Sequence, residues 1–139
     1  MKFDIRQASW PDDKNVLSSI RRKVFIEEQK VPEDMEWDEY DTLSVHCIAS
    51  DNGKAVGTGR LMSNGQIGRI AVLKNYRGKG IGTAVLKFLI DQHRSRSSTP
   101  ITLHAQTHAI DFYKNFGFVI NGDEFDEAGI PHYEMILEV

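Results

Sequence analysis

Residues 66–83 read QIGRIAVLKNYRGKGIGT, and their reading decides the fold. Ile67, Ile70, Ala71, Val72 and Leu73 make an apolar run of strand length, with Gly68 and Arg69 inside it. Arg77, Gly78, Lys79, Gly80, Ile81 and Gly82 follow, with glycines at alternate positions beside two cations. From Ala84 the apolar residues Val85, Leu86, Phe88, Leu89 and Ile90 recur with helical spacing. The pattern predicts a strand, a glycine-rich turn and a helix start.

That geometry suits a diphosphate. A helix N-terminus carries free N–H groups and a partial positive charge, and both favour an anion. Glycine lets the backbone approach closely and adopt dihedrals that a β-carbon forbids. Arg77, Gly78, Lys79, Gly80, Ile81, Gly82 and Thr83 are therefore the candidate anion-binding residues. A Walker A loop is excluded because no lysine follows Gly82. A dinucleotide fingerprint is excluded because Thr83 stands where its last glycine belongs, and no acid lies about 20 residues on. The bland alternative is a glycine turn that caps an ordinary helix.

What remains is R-x-x-G-x-G, carried by Arg77, Gly80 and Gly82. It resembles the pyrophosphate signature of the GNAT superfamily, the Gcn5-related N-acetyltransferases. A second block, AIDFYKNFGF at residues 109–118, resembles the family's A-x-x-F-Y-x-x-x-G-F signature through Ala109, Phe112, Tyr113, Gly117 and Phe118. The stretches RKVFIEEQKVP, IGRIAV, LHAQ and EAGIPHYEM, from Arg22 to Met135, are similar to the small bacterial ElaA/YjcF-like branch. The segment around residues 24–29 also resembles acyl-homoserine-lactone synthases, larger proteins of the same general fold.

The resemblance implies an α/β (α+β) domain with a mixed, mostly antiparallel sheet of six or seven strands flanked by helices. It implies acetyl-CoA as co-substrate, no metal, and direct acetyl transfer to a primary amine on a small molecule or a lysine side chain. It places the polarising amides on the central strand, at Ile70, Ala71 and Val72, where a bulge opens a slot for the pantetheine arm. Gly68 is the residue best able to ease that departure. The resemblance makes Tyr113 the general acid toward the coenzyme sulfur, with Ala109 and Phe112 beside the cofactor. Gln106 stands where many members carry Asn, and its longer side chain leaves that role in doubt.

Outward from this centre, the chain of 139 residues reads as a single domain, residues 1–139. A first strand is expected at residues 3–7. A helix follows, opened by Ser9 or Trp10 and Pro11, with Val16, Leu17, Ile20 and Val24 on one face, running on toward Pro32. Strands at residues 43–49 and 55–62 are joined by Asp51-Asn52-Gly53-Lys54, and Asn64-Gly65 turns into the central strand. A polar loop at residues 94–100, a strand at 101–105 and a helix at 107–116 come next. Two last strands are expected, from Phe118 and from His132, with residues 126–131 as the loop between them.

The N-terminus, MKFDIRQ, lacks a signal-peptide core, and no apolar run approaches the ~20 residues of a membrane span. The one cysteine, Cys47, excludes an internal disulfide and fits a reducing cytoplasm. A net charge of −3 argues against nucleic acid as a partner. Residues 27–41 hold eight acids and one lysine, either a solvated loop or a field that attracts a cationic amine. The C-terminal edge strands are candidates for pairing two chains into a homodimer.

For the general base the candidates are Glu27, Glu28, His46, His104 and His132, with His46 and His132 first and Glu28 next, since histidine titrates in the right range. Cys47 as a nucleophile is the minor alternative to a buried apolar role. Arg94 and Arg96 are candidates for the 3′-phosphate of the coenzyme or plain helix-end charges. A module that binds acyl-CoA without turnover, and an ATP-binding protein, are the rival readings.

Overall fold

The computed structural model describes residues 3–139; Met1 and Lys2, part of the N-terminal stretch above, lie outside the described residues. In chain order the elements are β1 (Asp4–Ala8), α1 (Trp10–Arg21), a π-helix (Arg22–Glu28), α2 (Glu33–Glu36), a 3-10 turn (Glu39–Thr42), β2 (Val45–Asp51), β3 (Lys54–Leu61) and β4 (Gln66–Val72). After a short 3-10 turn (Lys74–Tyr76) come α3 (Ile81–Arg94), β5 (Ile101–Gln106), a 3-10 turn (Thr107–Ala109), α4 (Ile110–Lys114), β6 (Val119–Ile120), β7 (Phe125–Glu127) and β8 (Ile130–Leu137).

The strands form one sheet, ordered β1-β2-β3-β4-β5-β8-β6, with β7 also on β8. Every pairing is antiparallel except β4 with β5. The class is the expected one, with one strand more than the upper expectation. Residues 126–131 are not a free loop: they contribute to a hairpin in which Phe125 faces His132 and Glu127 faces Ile130. Its turn uses Ala128 and Gly129 at φ 54° and 76°. Positive φ at both central residues matches the right-handed twist of a hairpin, but alanine gives no advance sign of it.

α3 covers one face of the sheet. Val85, Leu86 and Leu89 are fully buried against β3, where Gly57 and Gly59 leave the space. A β-carbon on Gly59 would lie 2.7 Å from Val85 Cγ1 and 2.8 Å from Leu89 Cδ1. α1 covers the other face through Leu17, which packs with Ala8 and Ile48. Ser9 caps α1 through its backbone, its N–H donating to Asp13 Oδ2 at 3.0 Å. Val16, expected on the inner face, is exposed, and Arg21 is buried instead.

The helix runs on past Arg21, as expected, but with π geometry from Arg22 to Glu28. Gln29 N–H donates to Val24 O at 3.0 Å and closes the last turn. A π turn holds an extra residue, which rotates the following side chains and recurs at functional sites.

Candidate active site

The sheet opens at its parallel junction. β4 and β5 pair only at Gln66 with Thr102 and at Ile67 with Leu103, and beyond that they separate. The cause lies in β4. Between Thr58–Ala71 and Arg60–Gly68 the register against β3 slips by one residue. The extra residue is Arg69, at φ 52°. A bulge with a left-handed residue bends the strand and increases its twist. The sequence offers Gly68 as easing the departure without locating it; the structure puts the left-handed backbone one residue later, at Arg69. Beyond Ile67 the edge of β4 facing β5 is left without ladder partners.

Two cavities meet along this gap. One, of ≈ 680 Å³, is lined by Ile70, Ala71 and Val72 of β4, by Arg77, Gly78, Gly80, Ile81, Gly82 and Thr83, and by Phe112. Gly80 is the N-cap of α3 at φ 86° and Gly78 has φ 75°, so the backbone curls with no β-carbon in the way. The first helical hydrogen bond is Ala84 N–H to Gly80 O, which leaves the amides of Ile81, Gly82 and Thr83 without a partner inside the helix. Lys79 is exposed and does not line this cavity.

Arg77 is held tightly. Its Nε donates to Val72 O at 2.9 Å, and its two Nη groups donate to both oxygens of Glu28 at 2.6 and 2.7 Å. The side-chain hydrogen bond from Arg77 holds the Glu28 carboxyl below its usual range. Glu28 therefore clasps the π-helix to the glycine turn, and a carboxylate so engaged is a weak base.

The second cavity, of ≈ 380 Å³, lies across the gap and includes Ala109 and Tyr113, His104 and His132, Glu36 and Glu127, Arg60 and Arg69. Ile70, Gln29, Gln106 and His108 line both cavities. Gln106 Nε2 donates to Gln29 Oε1 at 2.9 Å, so Gln106 reaches across the gap to the π-helix. Tyr113 and Phe112, consecutive on α4, line opposite cavities. The Tyr113 hydroxyl makes no hydrogen bond among the described residues, and burial pushes it up to about 12.

His132, Glu127 and His104 stand together: His104 Nδ1 is 2.9 Å from Glu127 Oε1, and His132 Nε2 is 3.6 Å from Glu127 Oε2. The hydrogen bond to Glu127 raises the His104 pKa, and His104 in turn holds Glu127 down. Glu127 escaped the sequence reading because it lay in an expected loop. Gln29 escaped it because a uniform α-helix would aim that position elsewhere.

His46 is not brought here. It is buried on β2, stacked on Trp10 at 5.3 Å, with Nε2 2.8 Å from Asp41 O, and burial lowers its pKa. Glu27 is exposed and lines neither cavity. Cys47 is fully buried, its thiol pushed by burial up to about 12. Arg94 and Arg96 sit at the C-terminal end of α3, away from the glycine turn, where Arg96 bonds to Gln92 Oε1.

The acidic segment is largely neutralised. Arg21 bonds to Glu36 at 2.9 Å and Asp41 at 2.8 Å, between the rings of Trp10 and Trp37. Arg60 bonds to Asp38 and Asp41, and Arg69 bonds to Glu36 and Asp38. Burial works against the Asp41 charge, yet Arg21 and Arg60 outweigh it and hold the carboxyl low. Burial prevails at Glu36 and raises it. Glu36, Arg60 and Arg69 of this network line the second cavity, and the pairing leaves little free negative field to draw a cation. Among the described residues no group of three or more His, Cys, Asp or Glu is placed to hold a metal ion, and no helix is long and apolar enough to cross a membrane.

The family model described as "Acetyltransferase (GNAT) domain" matches residues 11–139. The chain belongs to the GNAT acetyltransferase family. Within it, the ElaA/YjcF-like branch is the one it falls in. The uncharacterized N-acetyltransferase YjcF of Bacillus subtilis is 39% identical, with 86% of this chain and 88% of YjcF covered. YyaT of the same organism is 38% identical over 99% of this chain and 97% of its own. Among solved structures, Escherichia coli ElaA superposes with a TM-score of 0.88 at 24% identity, over 99% of this chain and all of that one. An acyl-CoA N-acyltransferase from Pseudomonas aeruginosa gives 0.87 at 28% identity, over 97% and 99%. Acyl transfer is thus the general activity of this GNAT protein, and its open β4–β5 edge lies between the two sequence signatures that first pointed to the family.

Proposed function

We propose that this protein transfers an acetyl group directly from acetyl-CoA to a primary amine. The observation that carries the reading is the meeting of the two cavities at the unpaired edge of β4. One cavity ends in a glycine turn with free amides, and the other ends in titratable side chains. A thioester lying in the gap between them has its pyrophosphate at Gly78, Gly80, Ile81, Gly82 and Thr83, with Arg77 beside it. Its pantetheine arm runs along Ile70, Ala71 and Val72 and past Gln106 and Phe112, and Ala109 lies on the acceptor side.

Unpaired strand amides aimed at the carbonyl stabilise the developing oxyanion, which in such sites is worth roughly 2.7–4 kcal/mol per donor. Tyr113 is the acid. Its burial keeps it protonated throughout the physiological range, so it can donate to the departing sulfur, a contribution of about 10²–10⁴ in rate. The base belongs in the acceptor cavity, where His132 and His104 lie. Glu28 is tied to Arg77 and His46 is enclosed beneath Trp10.

Calorimetric titration with acetyl-CoA tests the reading, with Gly80→Glu as control. Micromolar binding that the control loses, followed by CoA release on adding primary amines, is the expected result. Absence of binding by the wild type refutes it.

A further inference from the structure

Resting on the acetyltransferase reading, we propose that His132 Nε2 and Glu127 Oε2 form a two-point seat for a neutral primary amine. Each accepts one of its two N–H groups, and His132 takes its proton as the C–N bond forms.

The seat follows from the partners of two rings. His132 Nδ1 is 2.7 Å from Ile130 O, a carbonyl that only accepts, so Nδ1 carries the proton of the neutral ring and Nε2 the lone pair. That Nε2 faces Glu127 Oε2 at 3.6 Å, beyond hydrogen-bond distance. The other carboxylate oxygen, Oε1, accepts from His104 Nδ1 at 2.9 Å. His104 Nε2 therefore lies on the far side of its ring, and His104 serves to fix Glu127. Phe125 fixes both rings, stacked on His132 at 5.9 Å and edge-on to His104 at 5.0 Å. An oxygen and a nitrogen, both acceptors, thus face each other, and neither finds a donor among the described residues. An amine nitrogen at ~2.9 Å from each spans the pair, and both N–H bonds stay within roughly 30° of straight.

The seat opens on the acceptor cavity. The His132 side chain is only 8% exposed. Among the described residues, Arg60 Nε is the one polar side-chain atom both enclosed and unpartnered. His132 Nε2, unpartnered as well, therefore keeps an open side, and His132 and Glu127 line that cavity together with Tyr113. In the β5–β8 ladder His132 stands opposite Gln106, so the two share a face of the sheet. The Gln106 side chain crosses the gap to Gln29, which sets His132 beside the gap. Arg69 acts on Glu127 from the β4 bulge, but its guanidinium is bonded to Glu36 and Asp38. Glu127 Oε2 is left without an arginine partner.

The proton inventory closes. With both N–H groups held, the lone pair of the amine stays free of the two acceptors and forms the C–N bond to the thioester carbon. The nitrogen becomes positive and gives one proton to His132 Nε2. The C–S bond breaks as Tyr113 protonates the sulfur, and the second N–H remains in the amide product. His132 returns its proton to solvent and Tyr113 recovers one from it. A neutral amine and a thioester thus give an amide and a thiol with no net proton change. A secondary amine has one N–H and leaves one acceptor of the seat unpaired, so the pair selects primary amines.

The test is NMR of the histidine rings in the full chain at about pH 8.5, where free imidazole is neutral. The probe is 2,2,2-trifluoroethylamine, a primary amine that is neutral there, and its N-methyl derivative, with a single N–H, is the control. In the wild type the His132 ring shows the Nδ1–H tautomer. The primary amine shifts its Nε2 signal at a concentration about tenfold or more below that needed by the control. Glu127→Gln closes the seat: the amide oxygen accepts from His104 Nδ1, and the amide N–H turns to His132 Nε2. The response to the primary amine then weakens about tenfold or more. Glu127→Asp, one methylene short of spanning both rings, gives the same loss should the amide variant lose its fold. An Nε2–H tautomer in the wild type, no response to the primary amine, equal responses to both amines, or a response that survives in the variants overturns the proposal. Acetyl-CoA binding is measured by calorimetry on the same samples. Wild-type protein that binds acetyl-CoA without the His132 response defeats this inference alone, whereas failure to bind acetyl-CoA defeats the acetyltransferase reading.

Discussion

Gly80 and Gly53 offer a matched pair for testing the glycine turn. Gly80 has φ 86° and Gly53 has φ 82°, and a β-carbon on either meets nothing within 4 Å. The strain of Gly→Ala is therefore the same at both, roughly 1–2 kcal/mol for an L-residue in the left-handed region. Each variant should lose about 3–8 °C in Tm and remain folded. They differ in what the open space is for. Gly53 ends a surface hairpin, whereas Gly80 lines the cavity at the N-terminus of α3. A methyl group there stands between the amides and a phosphate, so Gly80→Ala should weaken acetyl-CoA binding about tenfold or more, ~1.4 kcal/mol. Gly53→Ala should leave it unchanged. Thermal melts and calorimetry on both variants decide the matter. Equal acetyl-CoA affinities in the two would refute the placement of the pyrophosphate.

Tyr113→Phe should lower CoA release by about 10²–10⁴-fold with acetyl-CoA affinity and Tm unchanged, since the hydroxyl has no protein partner to abandon; a module that only senses acyl-CoA has no rate to lose. Gly59→Ala should cost about 1–3 kcal/mol in a denaturant melt, because its methyl meets Val85 and Leu89 within 2.8 Å, and an unchanged midpoint would mean α3 packs otherwise. Cys47, with its thiol pushed up to about 12 and no exposed surface, is protonated at pH 8 and should resist iodoacetamide until guanidinium unfolds the chain. Rapid labelling of the native protein would contradict that burial.

What was legible in the sequence was local. Asn52-Gly53 is at the hairpin tip, with both φ positive. The alternation of Gly78, Gly80 and Gly82 marked the turn, and at Gly78 and Gly80, with φ 75° and 86°, only glycine pays no steric penalty. The sequence offered Gly68 as a residue that eases the bulge but did not locate it; Arg69 carries it, and its guanidinium is anchored 30 or more residues away in sequence, on Met35 O, Glu36 and Asp38. The acidic segment misled for the same reason. Its partners Arg21, Arg60 and Arg69 are scattered along the chain, and no local pattern pairs them. The π-helix was invisible because its apolar spacing differs from that of an α-helix by one residue. Glu127 was hidden by a turn whose Ala128 holds a left-handed φ without a glycine or asparagine to announce it.

The short contact between β4 and β5 has a thermodynamic side. Among the described residues β4 and β5 share two register pairs, so a ligand wedged along the rest of that seam serves as a missing strand. Ligand that binds only the folded chain adds RT ln(1 + [L]/Kd), about 2.7 kcal/mol at a hundredfold excess over Kd. On the proposed function that ligand is the acyl-CoA co-substrate, and the folded lifetime then depends on its supply: resistance to proteolysis rises when acyl-CoA is plentiful and falls when it is spent.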